Sequence, residues 1–153
     1  MRPGRGTKNM TPLPKSKTHK TESIKYLKGK CWHLFSRYIR LRDCLETTGT
    51  LTYGRCFTCD AVVLLQKAQA GHFVAGRHNG NLFSERGVHL QCYSCNCPNH
   101  GLPLEYRRRI IKLYGEGADL ELEREASIVR KFTVPELLTL KESLTAKIKE
   151  MES

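Results

Sequence analysis

The sequence predicts an α+β chain in which helices flank a centre of short strands, and three observations carry that expectation. Apolar residues recur at helical spacing over residues 23–45 and again beyond Pro103. Short β-prone pieces lie between, in a stretch rich in Gly, His and Asn. Two Cys-x-x-Cys pairs, Cys56-Phe-Thr-Cys59 and Cys92-Tyr-Ser-Cys95, bracket that stretch. A two-residue spacer lets both sulfurs of a pair face one point, and two pairs complete a tetrahedron. The centre therefore reads as stapled by a structural zinc, the alternative being four free core thiols.

Each element has its own warrant. Residues 1–22 are rich in Lys, Arg, Pro, Gly and Thr with few apolar residues, and read as a disordered basic arm. In residues 23–50, Trp32, Phe35 and Ile39 recur at helical spacing, as do Leu34, Tyr38, Leu41 and Leu45. Arg37, Arg40 and Arg42 lie between them, which describes a basic amphipathic helix closed by Thr47-Thr48-Gly49, its arginines expected on the phosphate backbone, with plain solvation as the alternative. Leu51–Tyr53 and Val62–Leu65 are short strands around the first Cys pair, and 68–91 reads as an irregular hairpin. Pro103 suits the first turn of a helix over Leu104–Tyr114, and Gly115 suits its end. A second helix runs from Ala118 to about Arg130, acidic early and basic late as the helix dipole favours. Thr133-Val-Pro-Glu136 is a capping box for a last helix with the stripe Leu137, Leu140, Leu144 and Ile148. The chain thus divides into an arm (1–22), a basic helix (23–50), a zinc-stapled core (51–116) and C-terminal helices (117–153).

Charge is unevenly placed. The net charge is +11, and residues 1–50 hold 12 Lys/Arg against 3 Asp/Glu. Residues 102–153 hold 10 of each and are neutral. A basic N-terminal third points to phosphates, with a merely solvated tail as the plain alternative. No apolar run is long enough to span a bilayer and no signal-peptide core follows Met1, so no membrane partner is expected and the chain is expected to be cytoplasmic. Seven cysteines are an odd number; in a reducing compartment two tight pairs favour zinc over disulfides and leave Cys31, Cys44 and Cys97 as free thiols.

A zinc held by four sulfurs is closed, so any chemistry requires a second cation. Cutting a phosphodiester takes a base for the attacking water, a divalent cation on the leaving oxygen and positive charge around the phosphate. His72 lies between the two Cys pairs and suits the base near pH 7. Asn96, directly after the second pair, offers an oxygen for a hard cation, with His89 and Glu85 as further candidate ligands. Arg77 and Arg86 lie in the same loop and can hold the phosphate. Each also has an ordinary role available, as a surface histidine or a turn-capping asparagine.

The string Cys56–Cys59, Ala70-Gly-His72-Phe73, Phe83-Ser-Glu85-Arg86 and Val88-His89-Leu-Gln-Cys92-Tyr-Ser-Cys95-Asn96 resembles the phage NinG (Rap) recombination nuclease family. It is also similar to the wider His-Asn-His (HNH), or ββα-metal, nucleases, including the phage endonuclease VII type. The likeness covers about residues 31 to 150. It implies a zinc-stapled ββα-metal core with flanking helices and zinc on Cys56, Cys59, Cys92 and Cys95. His72 matches the water-activating histidine and Asn96 the metal-binding asparagine, with His89 at a third family position. The implied activity is a Mg²⁺- or Mn²⁺-dependent endonuclease on branched DNA, four-way (Holliday) junctions or D-loops, in a bacterial host, with a homodimer giving two cuts. The chain departs from the pattern at Gln69, where the family has Asp, at Gly87, where it has Asn, and at Gly71, where the endonuclease VII type has an acidic ligand. Those departures keep a second expectation open, a zinc-stapled DNA- or RNA-binding protein that does not cut.

Overall fold

The computed structural model describes residues 22–153, so the expected basic arm lies, but for Glu22, outside the described residues. Helix α1 spans Ile24–Thr48, three residues further than its apolar pattern reaches. Ser23 caps its start, its hydroxyl accepting from the Tyr26 N–H, and Gly49 ends it at φ 74°. A left-handed residue there lets the Gly49 N–H reach back to Leu45, a conformation glycine adopts without steric cost.

Four short strands follow: β1 (Tyr53–Arg55), β2 (Val62–Leu64), β3 (Gln69–His72) and β4 (Val88–Gln91). They form two separate antiparallel pairs, β1 with β2 and β3 with β4. In the second pair Gln69 opposes Gln91, Gly71 opposes His89 and His72 opposes Val88. Because side chains alternate along a strand, His72 and His89 point to opposite faces of this hairpin. The single turn α2 (Tyr93–Asn96) then carries the second Cys pair, and α3 (Pro103–Tyr114), α4 (Ala118–Ser127) and α5 (Val134–Glu152) complete the chain. The α5 start is a full capping box, Thr133 and Glu136 each accepting from the other's backbone N–H. Helix α4 stops at Ser127, short of the expected Arg130.

The architecture is α+β, and its core binds the segments together. Phe35, Tyr38, Ile39 and Leu41 of α1 meet Leu144 and Ile148 of α5 and Val88 of β4 in one cluster. A second cluster sits beneath the cysteines, with Cys44, Val63 and Leu90 against Cys56 and Cys95. Phe73, Tyr106, Ile110 and Leu122 join the hairpin to α3 and α4. The β3–β4 hairpin therefore lies between α1 on one side and α3 on the other. No helix among the described residues is long and apolar enough to cross a membrane.

Candidate zinc staple and histidine concavity

The four paired cysteines converge. Their sulfurs all lie within 4.8 Å of one another, and among the described residues they are the one such group of His, Cys, Asp or Glu side chains. Zinc–sulfur bonds of about 2.3 Å in a tetrahedron place the sulfurs about 3.8 Å apart. Cys59 and Cys92 are 3.8 Å apart, the separation the cation needs, and the other sulfurs lie close enough to converge on the same point. Backbone N–H groups already point at the sulfurs, Cys92 N–H to Cys56 Sγ at 3.3 Å and Cys95 N–H to Cys92 Sγ at 3.5 Å. Burial raises the Cys56 pKa, but donors from Thr58 and Cys92 outweigh it and bring the thiol to about 7. Cys95 is pushed up to about 12, first by burial and then by the neighbouring thiols. One thiolate thus forms readily and opposes the next, a conflict that a central dication removes by favouring all four. This group could hold a structural zinc.

A second site lies at the edge of β3, which among the described residues has a strand neighbour on one side only. There His72 and Asn96 line one concavity of about 270 Å³, together with Arg77, Cys97 and His100. The His72 Nε2 lies 3.2 Å from the Leu82 carbonyl. A carbonyl oxygen only accepts, so Nε2 carries the proton and Nδ1 keeps the lone pair. Trp32 of α1 stacks on the imidazole at 5.1 Å and 18°, while the Arg77 guanidinium lies 4.6 Å from the indole. Burial lowers the His72 pKa, with a smaller push in the same direction from Arg77, and the Leu82 bond only partly opposes them. The ring is therefore neutral at pH 7.

Asn96 is held as well. Its Nδ2 donates to Gln69 Oε1 at 2.7 Å, which leaves Oδ1 as the group it can offer a cation. Gln69, met in the sequence as a departure, thus orients the asparagine, and it also accepts from the Cys97 thiol at 3.1 Å. The departure at Gly71 has a steric cause. A Cβ there would lie 1.9 Å from Gln91 Oε1 and 2.8 Å from Asn96 Oδ1. Gln91 is fully buried and spends its Nε2 on Thr58 and the Gly101 carbonyl, so it does not move aside. Gly87 is tight in the same way, its virtual Cβ 2.9 Å from Ser84 Oγ.

The structure does not bring the other expected ligands to this concavity. His89 is buried on the opposite face of the hairpin, stacked on Phe57 at 4.0 Å. Its Nδ1–H donates to Asp43 at 3.2 Å and its Nε2 accepts from the Tyr114 hydroxyl at 3.0 Å, so both ring nitrogens are spent. Glu85 is engaged by the Tyr38 hydroxyl at 3.0 Å and Lys147 at 2.9 Å. Of the arginines expected on phosphate, Arg37 pairs with Glu152, Arg40 donates to the Ser36 and Leu65 carbonyls, and Arg86 pairs with Glu121. Arg42 is the most committed, bonded to Asp43 and to the Glu85 and Val88 carbonyls. Only Arg77 of the five lines the concavity.

The bacteriophage lambda NinG protein model matches residues 6–153, nearly the whole chain. The chain belongs to the NinG family. No curated protein and no solved structure matches it. In this NinG-family chain the signals that sequence reading missed are Trp32, the Leu82 carbonyl, Gln69 as a tether and Gln91 as the wall beside Gly71. Trp32 had looked like one more apolar residue of its helix, and a backbone carbonyl has no sequence signature.

Proposed function

We propose that this NinG-family chain is a metal-dependent endonuclease on branched or recombining DNA, built on a ββα-metal, HNH-like core with His72 as its general base. The observation that carries the reading is the fixed tautomer of His72, proton on Nε2 and lone pair on Nδ1, in a concavity shared with Asn96 and Arg77. The β3–β4 pair running into the α2 turn that ends at Asn96 supports the ββα reading.

In this mechanism His72 Nδ1 takes the proton of the attacking water. The Leu82 carbonyl accepts from Nε2–H throughout and stabilises the imidazolium that forms. Trp32 holds the ring plane, and Arg77 at the rim attracts the scissile phosphate. Asn96, oriented by Gln69, would hold Mg²⁺ or Mn²⁺ through Oδ1, and such a cation supplies Lewis-acid stabilisation of the leaving oxygen. The cysteine-bound zinc is structural and takes no part. A symmetric dimer would bring two such sites to opposed strands.

A second reading, a DNA- or RNA-binding protein that does not cut, is favoured by one observation: no Asp or Glu among the described residues lines the concavity. Cleavage of a labelled four-way junction and its matched linear duplex, with Mg²⁺ or Mn²⁺, separates the two. Junction-selective cutting lost in His72→Ala is expected; tight junction binding without cutting in either metal establishes the binding protein instead.

A further inference from the structure

Helix α1 contains one glycine, Gly29, five residues into a 25-residue helix. A glycine inside a helix is destabilising relative to alanine, and it is kept where a left-handed turn, close packing or close approach of a ligand requires it. Gly29 sits in ordinary helix. Nothing among the described residues comes within 4 Å of a Cβ placed there. The described residues therefore give this glycine no packing role.

Its surroundings say what approaches. Gly29 lines an open trough of about 480 Å³ with Ser23, Lys25, Tyr26, Lys30 and His33. All six residues are exposed, and no Asp or Glu lines the trough. Unlike Arg40 and Arg42, whose guanidiniums are spent on carbonyls and Asp43, Lys25 and Lys30 make no ion pair among the described residues, and Lys30 Nζ stands 5.3 Å over the Tyr26 ring. The preceding residues 1–21 carry six Lys/Arg and no Asp/Glu, so they share the trough's sign and do not complement it. Trp32, three residues on from Gly29 and about 4.5 Å along the helix axis, carries the His72 ring and Arg77.

We infer that this trough is a seat for a DNA phosphodiester backbone, with Lys25 and Lys30 on the phosphates and Gly29 as the floor that lets the strand lie close to the helix. A strand so seated passes beside Trp32 towards the His72 concavity. The inference rests on the nucleic-acid side of the function proposed above and deepens it by naming where the substrate is held. The contacts carry charge without base edges, so the seat does not read sequence.

The test is binding of labelled linear duplex by the full chain without added divalent cation, repeated in a His72→Ala background, over about 50–200 mM salt. Gly29→Ala, the double variant Lys25→Gln/Lys30→Gln and Lys149→Gln, an exposed lysine on α5, are compared with the parent. The lysine pair is expected to flatten the slope of log affinity against log salt by about 2, close to one per phosphate contact. Gly29→Ala is expected to weaken binding while raising Tm by about 1–4 °C, opposite directions that a structural role does not produce. Lys149→Gln should match the parent. An unchanged slope in the lysine pair, equal flattening by Lys149→Gln, or parental affinity in Gly29→Ala overturns the inference. A chain that cuts DNA yet ignores the trough variants refutes the trough alone. A chain that cuts nothing while the trough variants flatten its slope refutes the nuclease reading alone.

Discussion

Asp43 is the charge on which the centre of the molecule turns, and Asp43→Asn tests that directly. Its side chain is 6% exposed and its carboxylate takes three donors: Arg42 Nε at 2.8 Å, the Leu90 N–H at 2.7 Å and His89 Nδ1–H at 3.2 Å. It therefore ties α1 to β4 and, through His89 and Tyr114, to the end of α3. Breaking a buried pair by removing one partner costs about 3–5 kcal/mol, because the other charge is left uncompensated. Arg42 would be that charge, its side chain only 13% exposed. Asparagine keeps an acceptor for the Leu90 N–H, and Arg42 keeps the Glu85 and Val88 carbonyls, so the low end applies, about 3 kcal/mol. For a chain of this length that is a fall in Tm of about 6–12 °C.

The pH dependence has a definite sign. Burial alone would raise the Asp43 pKa, but His89 and Arg42 outweigh it and hold the carboxyl below its ordinary value. A depressed carboxylate stabilises the fold fully above its unfolded pKa, about 3.9, and loses that contribution as pH falls through the folded value. The stability gap between wild type and Asp43→Asn should stay constant from about pH 7 to 5 and close below about pH 4. Urea unfolding at several pH values measures it. A gap under about 1 kcal/mol at pH 7, or one that widens in acid, refutes the view that this is a buried ionic tie.

Metal analysis should find one zinc per chain. Cys95→Ser should lose it and unfold at lower temperature, whereas Cys31→Ser, outside the cluster, should keep it. Gly71→Ala should destabilise by about 1–3 kcal/mol in urea titration, since its methyl must displace buried Gln91 or shift β3. His72 is held below its ordinary pKa by burial, and the proposed general base requires the neutral ring. The acid limb of any His72-dependent cleavage should therefore fall below about pH 6.5, and Trp32→Ala, which uncovers the ring, should move it back up; a wild-type limb above 6.5 refutes the burial argument.

What could be read in advance was what is local in sequence. The capping box at Thr133 and Glu136, the helix stop at Gly49 and the two Cys pairs each act within a few residues, so spacing alone locates them. Helical periodicity correctly marked Phe35, Tyr38, Ile39 and Leu41 as core, but it does not say what covers the flanks of the helix. Arg42 looked free because nothing nearby in sequence shows that β4 presents the Val88 carbonyl to it, 46 residues on. His89 looked like a ligand for the same reason: its partners Asp43 and Tyr114 are 46 and 25 residues away. His72 was legible as a candidate, yet its tautomer rests on the Leu82 carbonyl, which no side-chain pattern encodes.

The two departures beside His72 are better understood as parts of one arrangement than as losses. Once Gln91 occupies the space beside Gly71, that position cannot carry an acidic side chain, whatever a related site does there. The charge a carboxylate would bring is then absent from the β3 edge, and Gln69 supplies orientation instead by holding the Asn96 amide. A neutral oxygen binds a hard cation weakly, so in the proposed nuclease affinity for the cation would lean on substrate phosphate, as a magnesium site built on few protein ligands generally does. On that proposal a free chain should take up little Mg²⁺ and a DNA-bound chain should take up more, which metal titration with and without DNA would measure. In the proposed nuclease the basic first turns of α1 would bring the phosphate and the His72 concavity would use it, as halves of a single site.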